Sequence, residues 1–223
     1  MRRAVLFALA VVGASSAAQA QDVEATPIPG LEGRAGLQVQ SMRLLTSVEG
    51  EVPVKYDGTV TGLEFLGWLP KRRLGLHAGF LGGDGPPNGG RYSAVALTAL
   101  YGAEPLALEV GYQRRALYNE DSQRDLDRPF SLLRIGGRGT TPLGTTPFAL
   151  SLRGSLLTPL AIEFDKGASG FDLESEMRWT PRTSRVSAAL GYRFERLRVE
   201  KAEQEVGYVT LGVAYHFGEG GRQ

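Results

Sequence analysis

The stretch "VGYVTLGVAYHF", Val206 to Phe217, decides the fold. Val209, Leu211, Val213, Tyr215 and Phe217 alternate with Thr210, Gly212, Ala214 and His216. A period of two sends successive side chains to opposite faces of an extended chain, so this is a strand with one apolar face and one small or polar face. At 12 residues it is long enough to cross a hydrocarbon layer at a tilt.

The same period recurs through the chain. Strands are expected at 34–47, 58–69, 74–82, 91–101, 105–118, 129–140, 147–158, 171–180, 185–199 and 206–217. No stretch carries a helical period of any length. The connections nearly alternate between short and long. "PKRR", "AEP", "TPLGTT" and "PRTS" are short and each contains proline, whereas "NEDSQRDLDR" and "GGDGPPNGG" are longer, charged or flexible. Short turns on one rim and longer loops on the other describe an up-and-down barrel that spans a membrane. The fold class predicted is therefore all-β, an antiparallel transmembrane β-barrel of about ten strands, with eight as the alternative count. The segment 200–205 is short for the long-loop rim.

Composition sets the boundaries. At 223 residues the chain is one domain or two small ones, and its 42% apolar content is that of an ordered protein. A formal charge of +1 supplies no basic field for nucleic acid. There is no cysteine, hence no disulfide scaffold, no thiolate metal site and no lipid attached through an N-terminal cysteine. The first residues, "MRRAVLFALAVVGASSAAQAQD", have two arginines, an apolar run and Ala18-Gln19-Ala20, the layout of a cleaved export signal. The run is too short for a membrane anchor. The expected organisation is a signal peptide at 1–20, a Pro- and Gly-containing segment at 21–33, a barrel at 34–217 and a polar tail at 218–223.

Alternation alone does not say which face is outside, because a soluble lipid-binding barrel shows the same period in the opposite sense. The polar faces arbitrate. Ala149, Ser151, Arg153 and Ser155 on one strand, and Ser187, Ala189, Gly191, Arg193 and Glu195 on another, mix small residues with charges. Such a face suits the crowded interior of a narrow barrel, so the apolar face is assigned to lipid. Inward charges then need partners, since an isolated charge in a confined lumen is strongly disfavoured. Folding neighbouring hairpins about their turns sets Glu109 opposite Arg138, Arg153 opposite Glu176 and Asp172 opposite Arg193. Phe130, Phe148, Phe171, Trp179, Tyr101 and Phe217, near strand ends, are expected at the membrane interfaces. Trp68 has inner parity with Glu64, which requires either a bulge in "GLEFLGWLP" or a tryptophan in the lumen.

From Arg34 to Phe217 the chain resembles the small outer-membrane β-barrel proteins of Gram-negative bacteria. The most specific match is the closing strand. In that family its alternating apolar residues and final aromatic act as an insertion signal for the barrel-assembly machinery, which implies that role for Val209, Leu211, Val213, Tyr215 and Phe217. The chain departs from the family pattern by adding "GEGGRQ" after the aromatic. The resemblance implies residence in the outer membrane, contact with its lipid, both termini in the periplasm, and loops available to surface partners.

Some members of that family are enzymes. Here His77 is followed by Ala78-Gly79 and His216 by Phe217-Gly218, so neither lies in the His-x-Ser arrangement of the lipid A deacylases. Glu64 is placed to orient His77 across a hairpin. "GGDGPPNGG" lacks the ending of a phosphate loop, and "NEDSQRDLD" lacks calcium-loop spacing. The expectation is a non-enzymatic barrel with no cofactor and no metal, acting in membrane structure, surface interaction or as a narrow pore. The alternatives are a barrel enzyme acting on envelope lipid and a soluble periplasmic lipid-binding barrel.

Overall fold

The computed structural model describes residues 30–84, 91–103, 105–118, 130–160, 168–199 and 202–218. The expected export signal at 1–20, residues 21–29, most of "GGDGPPNGG", all of "NEDSQRDLD" and the tail beyond Gly218 lie outside the described residues.

Ten strands follow one another: β1 Glu32–Val48, β2 Val54–Leu69, β3 Leu74–Asp84, β4 Arg91–Ala103, β5 Leu106–Tyr118, β6 Phe130–Pro142, β7 Phe148–Pro159, β8 Ala168–Trp179, β9 Val186–Val199 and β10 Ala202–Phe217. Each pairs antiparallel with its sequence neighbours, and β1 pairs with β10 from Gly33↔Phe217 to Val48↔Ala202, closing the barrel. Closure leaves no free edge, so every strand finds ladder partners on both sides. One short 3-10 turn, Pro70–Arg72, links β2 to β3. It ends on Arg73 at φ 53°, a left-handed conformation for a non-glycine residue.

Two rims result. The turn rim carries the connections at 70–73, 104–105, 143–147 and 180–185 together with the start of β1 and the end of β10. The loop rim carries the other five connections. Four adjacent strands, β9, β10, β1 and β2, run 14 to 17 residues and rise furthest on the loop side. This corrects three expected boundaries: β2 begins at Val54 instead of 58, β8 at Ala168 instead of 171, and β10 at Ala202 instead of 206. The expected loop at 200–205 is accordingly mostly strand. Its outward residues Glu203 and Glu205 lie beyond the apolar belt and break the apolar alternation, while Gln204 and Val206 remain buried inside.

The exterior is apolar. Leu37, Leu63, Leu97, Leu108, Leu156 and Leu211 are each at least half exposed on the outer face, within a continuous belt of such residues. A soluble barrel would turn that belt inward. Tyr101, Phe148, Trp179 and Tyr215 mark its edge at the turn rim, and Tyr112, Phe171 and Tyr192 its other edge. Phe130 belongs to β6, but its side chain lies outside the described set. Towards the loop rim the outward positions turn polar at Ser41, Thr61, Ser93, Arg114, Ser131 and Arg196. The structure is thus a closed antiparallel transmembrane β-barrel of ten strands.

Candidate functional site in the barrel lumen

Inward positions alternate with the lipid-facing ones, so the contents of the lumen follow from strand parity. Towards the loop rim Met42, Leu44, Val60, Leu81, Tyr92, Ala94, Val206 and Tyr208 form one packed cluster, with Val54 against it. The Tyr92 and Tyr208 hydroxyls hydrogen-bond at 2.8 Å, joining β4 to β10 across the barrel. Beside them Arg115 on β5 donates to Glu195 on β9 and to Gln204 on β10, and all three are buried.

A layer of charge lies below. Asp172 is fully buried and accepts from Arg134, with Arg193 Nε at 3.2 Å and Arg153 Nη2 at 3.5 Å. The Arg193 guanidinium also sits over the Tyr208 ring, 5.6 Å from its centroid. Nearer the turn rim, Arg34 reaches Glu64 at 2.9 Å and Glu176, on the far wall, at 3.7 Å. Arg178 also pairs with Glu176. His77 Nε2 lies 3.4 Å from Glu64 Oε1, while its Nδ1 faces Arg138 Nη2 at 3.5 Å. Those two contacts suit a ring that donates through Nε2 and accepts through Nδ1.

Of the six charges paired from the sequence, Arg138 donates to Glu109 and Arg193 meets Asp172, but diagonally: the ladders set Glu109 opposite Gly136, Arg138 opposite Ala107, Asp172 opposite Glu195 and Arg193 opposite Glu174. Arg153 does not pair with Glu176. The β7–β8 register sets Arg153 opposite Glu174, which it meets at 2.6 Å, and sets Glu176 opposite Ser151. A register displaced by two residues preserves the face and changes the partner. Trp68 is inward with no bulge, since the β1–β2 register runs unbroken from Glu32↔Trp68 to Thr46↔Val54. Its ring covers Gly75, where a Cβ would lie 2.1 Å from Trp68 Cε3.

The contacts that tie opposite walls together were not readable locally. They join strands that are not neighbours, so they depend on how the barrel closes. Their one sequence signal is inner parity, which Arg115, Arg134, Glu195 and Tyr208 all have. The same reason hid a contact between His216 Nε2 and Ser187 Oγ at 2.8 Å. The sequence test looked for serine beside histidine, whereas these two residues meet diagonally across the β9–β10 pair.

A cavity of about 190 Å³ remains on the turn side of the apolar cluster. Arg34, Glu64, Trp68, His77, Arg138 and Glu174 contribute to its wall, and it reaches Pro105 on the turn rim. No group of three His, Cys, Asp or Glu side chains among the described residues is arranged to hold a metal ion.

No protein-family profile matches the chain, and no curated protein matches it. Among solved structures, it is similar to Neisserial surface protein A at 12% identity and a TM-score of 0.38, covering 83% of this chain and 100% of that one. It is similar to an outer-membrane channel from Pseudomonas putida at 14% identity and a TM-score of 0.48, covering 86% and 97%. It is also similar to Ail, the attachment invasion locus protein of Yersinia pestis, at 10% identity and a TM-score of 0.32, covering 83% and 99%. At these identities no functional residue carries over.

Proposed function

We propose that the protein is a non-enzymatic barrel of the bacterial outer membrane with a closed lumen, serving envelope structure or surface interaction through its loop rim. The observation that carries this reading is the pairing of an apolar belt outside with a lumen bridged wall to wall inside. A solute entering from the turn rim meets paired charges and then the Met42–Tyr208 cluster. To pass, it would have to separate buried ion pairs in a confined, low-dielectric space. The belt needs hydrocarbon around it, and a strand barrel is the architecture that bacterial outer membranes accept. In this orientation the turn rim is periplasmic and the loop rim extracellular.

The Ser187–His216 contact is the feature that favours an enzyme, and its surroundings argue against one. Ser187 is 2% exposed and faces the lumen. Ser187 pairs with Ala214 of β10 and the Val186 N–H donates to Ser184 Oγ, which occupies N–H donors an oxyanion would need. The pair is read as a satisfied lumen contact.

The test combines three readouts on the full chain. The protein should pellet with the outer membrane, shift in gel mobility on boiling, and show no steady conductance in planar bilayers. A fluorophosphonate probe should leave Ser187 unlabelled. Recovery in the soluble periplasmic extract would overturn the location, open-channel currents would overturn the closed lumen, and labelling lost in Ser187→Ala would overturn the non-enzymatic reading.

A further inference from the structure

We infer that the turn rim binds anionic phospholipid headgroups along the arc from β3 through β2, β1, β10 and β9 to β8. This rests on the outer-membrane reading, which turns that rim towards the phospholipid leaflet.

The two rims handle charge differently. At the loop rim Arg43 and Lys55 share Asp57, and Arg196 meets Glu203 and Glu205. The turn rim carries Lys71, Arg72 and Arg73 in one connection and Arg182 and Arg185 in another, all exposed. Among the described residues of that rim, Glu32 is the single acidic one. Arg182 donates to the Thr145 carbonyl at 2.8 Å and Arg185 to the Tyr215 hydroxyl at 3.3 Å, both neutral acceptors that leave the positive charge in place. The other described turns on this rim, at 105 and 143–147, carry no cation. The positive charge is therefore gathered on one arc, and the seam where β1 meets β10 runs through its middle.

The apolar surface beside this arc fixes the height of the cations. Phe65 and Phe217 stack at 5.8 Å, and Tyr215 and Trp179 flank them on the outer face. Aromatic side chains at a membrane edge settle at headgroup level. The five cations, one turn beyond, then stand where lipid phosphates are, and a phosphodiester oxygen accepts directly from lysine and arginine.

Native mass spectrometry of the detergent-folded full chain, offered phosphatidylglycerol or phosphatidylcholine at equal concentration, tests the inference. Wild type should retain phosphatidylglycerol with a preference on the order of tenfold, and the preference should fall as salt rises. The combined Lys71→Gln, Arg72→Gln and Arg73→Gln variant should lose most of it, and the Arg182→Gln, Arg185→Gln variant provides the same test should the first fail to fold. Lys55→Gln at the loop rim should leave it unchanged. Equal retention of the two lipids by a barrel that still shifts on heating, or equal loss in Lys55→Gln, overturns the inference. Fractionation away from the outer membrane instead overturns the reading beneath it, so the two failures are distinguishable.

Discussion

Phe217 lies at the end of β10, and its ring crosses the closing seam to stack on Phe65 of β2. It can do so because Gly33 of β1 stands between them. A Cβ at that position would lie 2.7 Å from Phe217 Cζ and 2.0 Å from the Leu66 carbonyl oxygen. The second contact is backbone, so no side-chain rotation relieves it. Gly33→Ala should therefore destabilise the barrel by about 1–3 kcal/mol through overpacking. Phe217→Leu keeps the apolar contact and loses only the stack, about 0.5–1.5 kcal/mol. Urea unfolding of the vesicle-inserted protein measures both, and the order expected is wild type, then Phe217→Leu, then Gly33→Ala. In cells, Phe217→Ser should slow insertion beyond its stability effect, as a C-terminal assembly signal requires. Insertion in step with Phe217→Leu would leave the residue a structural role alone.

At the scale of strands, Asp172 of β8 sits among guanidiniums from β6, β7 and β9. Asp172→Asn keeps the shape and removes the charge, leaving Arg134 without its carboxylate in a buried layer beside Arg153 and Arg193, which keep Glu174 and Glu195. Breaking a buried pair on one side typically destabilises by about 3–5 kcal/mol, so the urea midpoint should drop sharply. Glu203→Gln, at the solvated end of β10, should barely move it. The alternation of β1 to β10 was legible because each strand crosses a boundary between lipid and a filled interior, and both environments select side chains with a period of two. Where a strand leaves that boundary the signal fades. Lys55 and Asp57 on β2, and Glu203 and Glu205 on β10, face solvent, so the reading began those strands too late. Partners inside the lumen were harder still. Local register was legible only to within two residues, enough to join Glu109 with Arg138 and Asp172 with Arg193, and not enough to separate Glu174 from Glu176 for Arg153.

For the molecule as a whole, the question is which layer closes the lumen. The cavity on the turn side already has room for on the order of ten waters, so the turn-rim half is not the barrier. Above it lie the charge layer and then the apolar cluster, in which the Tyr92–Tyr208 bridge spans the barrel between β4 and β10. Both tyrosines are almost wholly buried, and replacing both with alanine removes two aromatic rings from the apolar section. Because the barrel wall is fixed by continuous backbone pairing, it cannot collapse to fill that space as a helical core partly does. Water should then enter from the loop rim and meet the Arg193 and Asp172 layer. The Tyr92→Ala, Tyr208→Ala variant should remain heat-shifting and outer-membrane resident, and should show a small steady conductance in planar bilayers where wild type shows none. A folded variant that stays silent would assign the barrier to the paired charges, and adding Asp172→Asn would then be the change that opens the path.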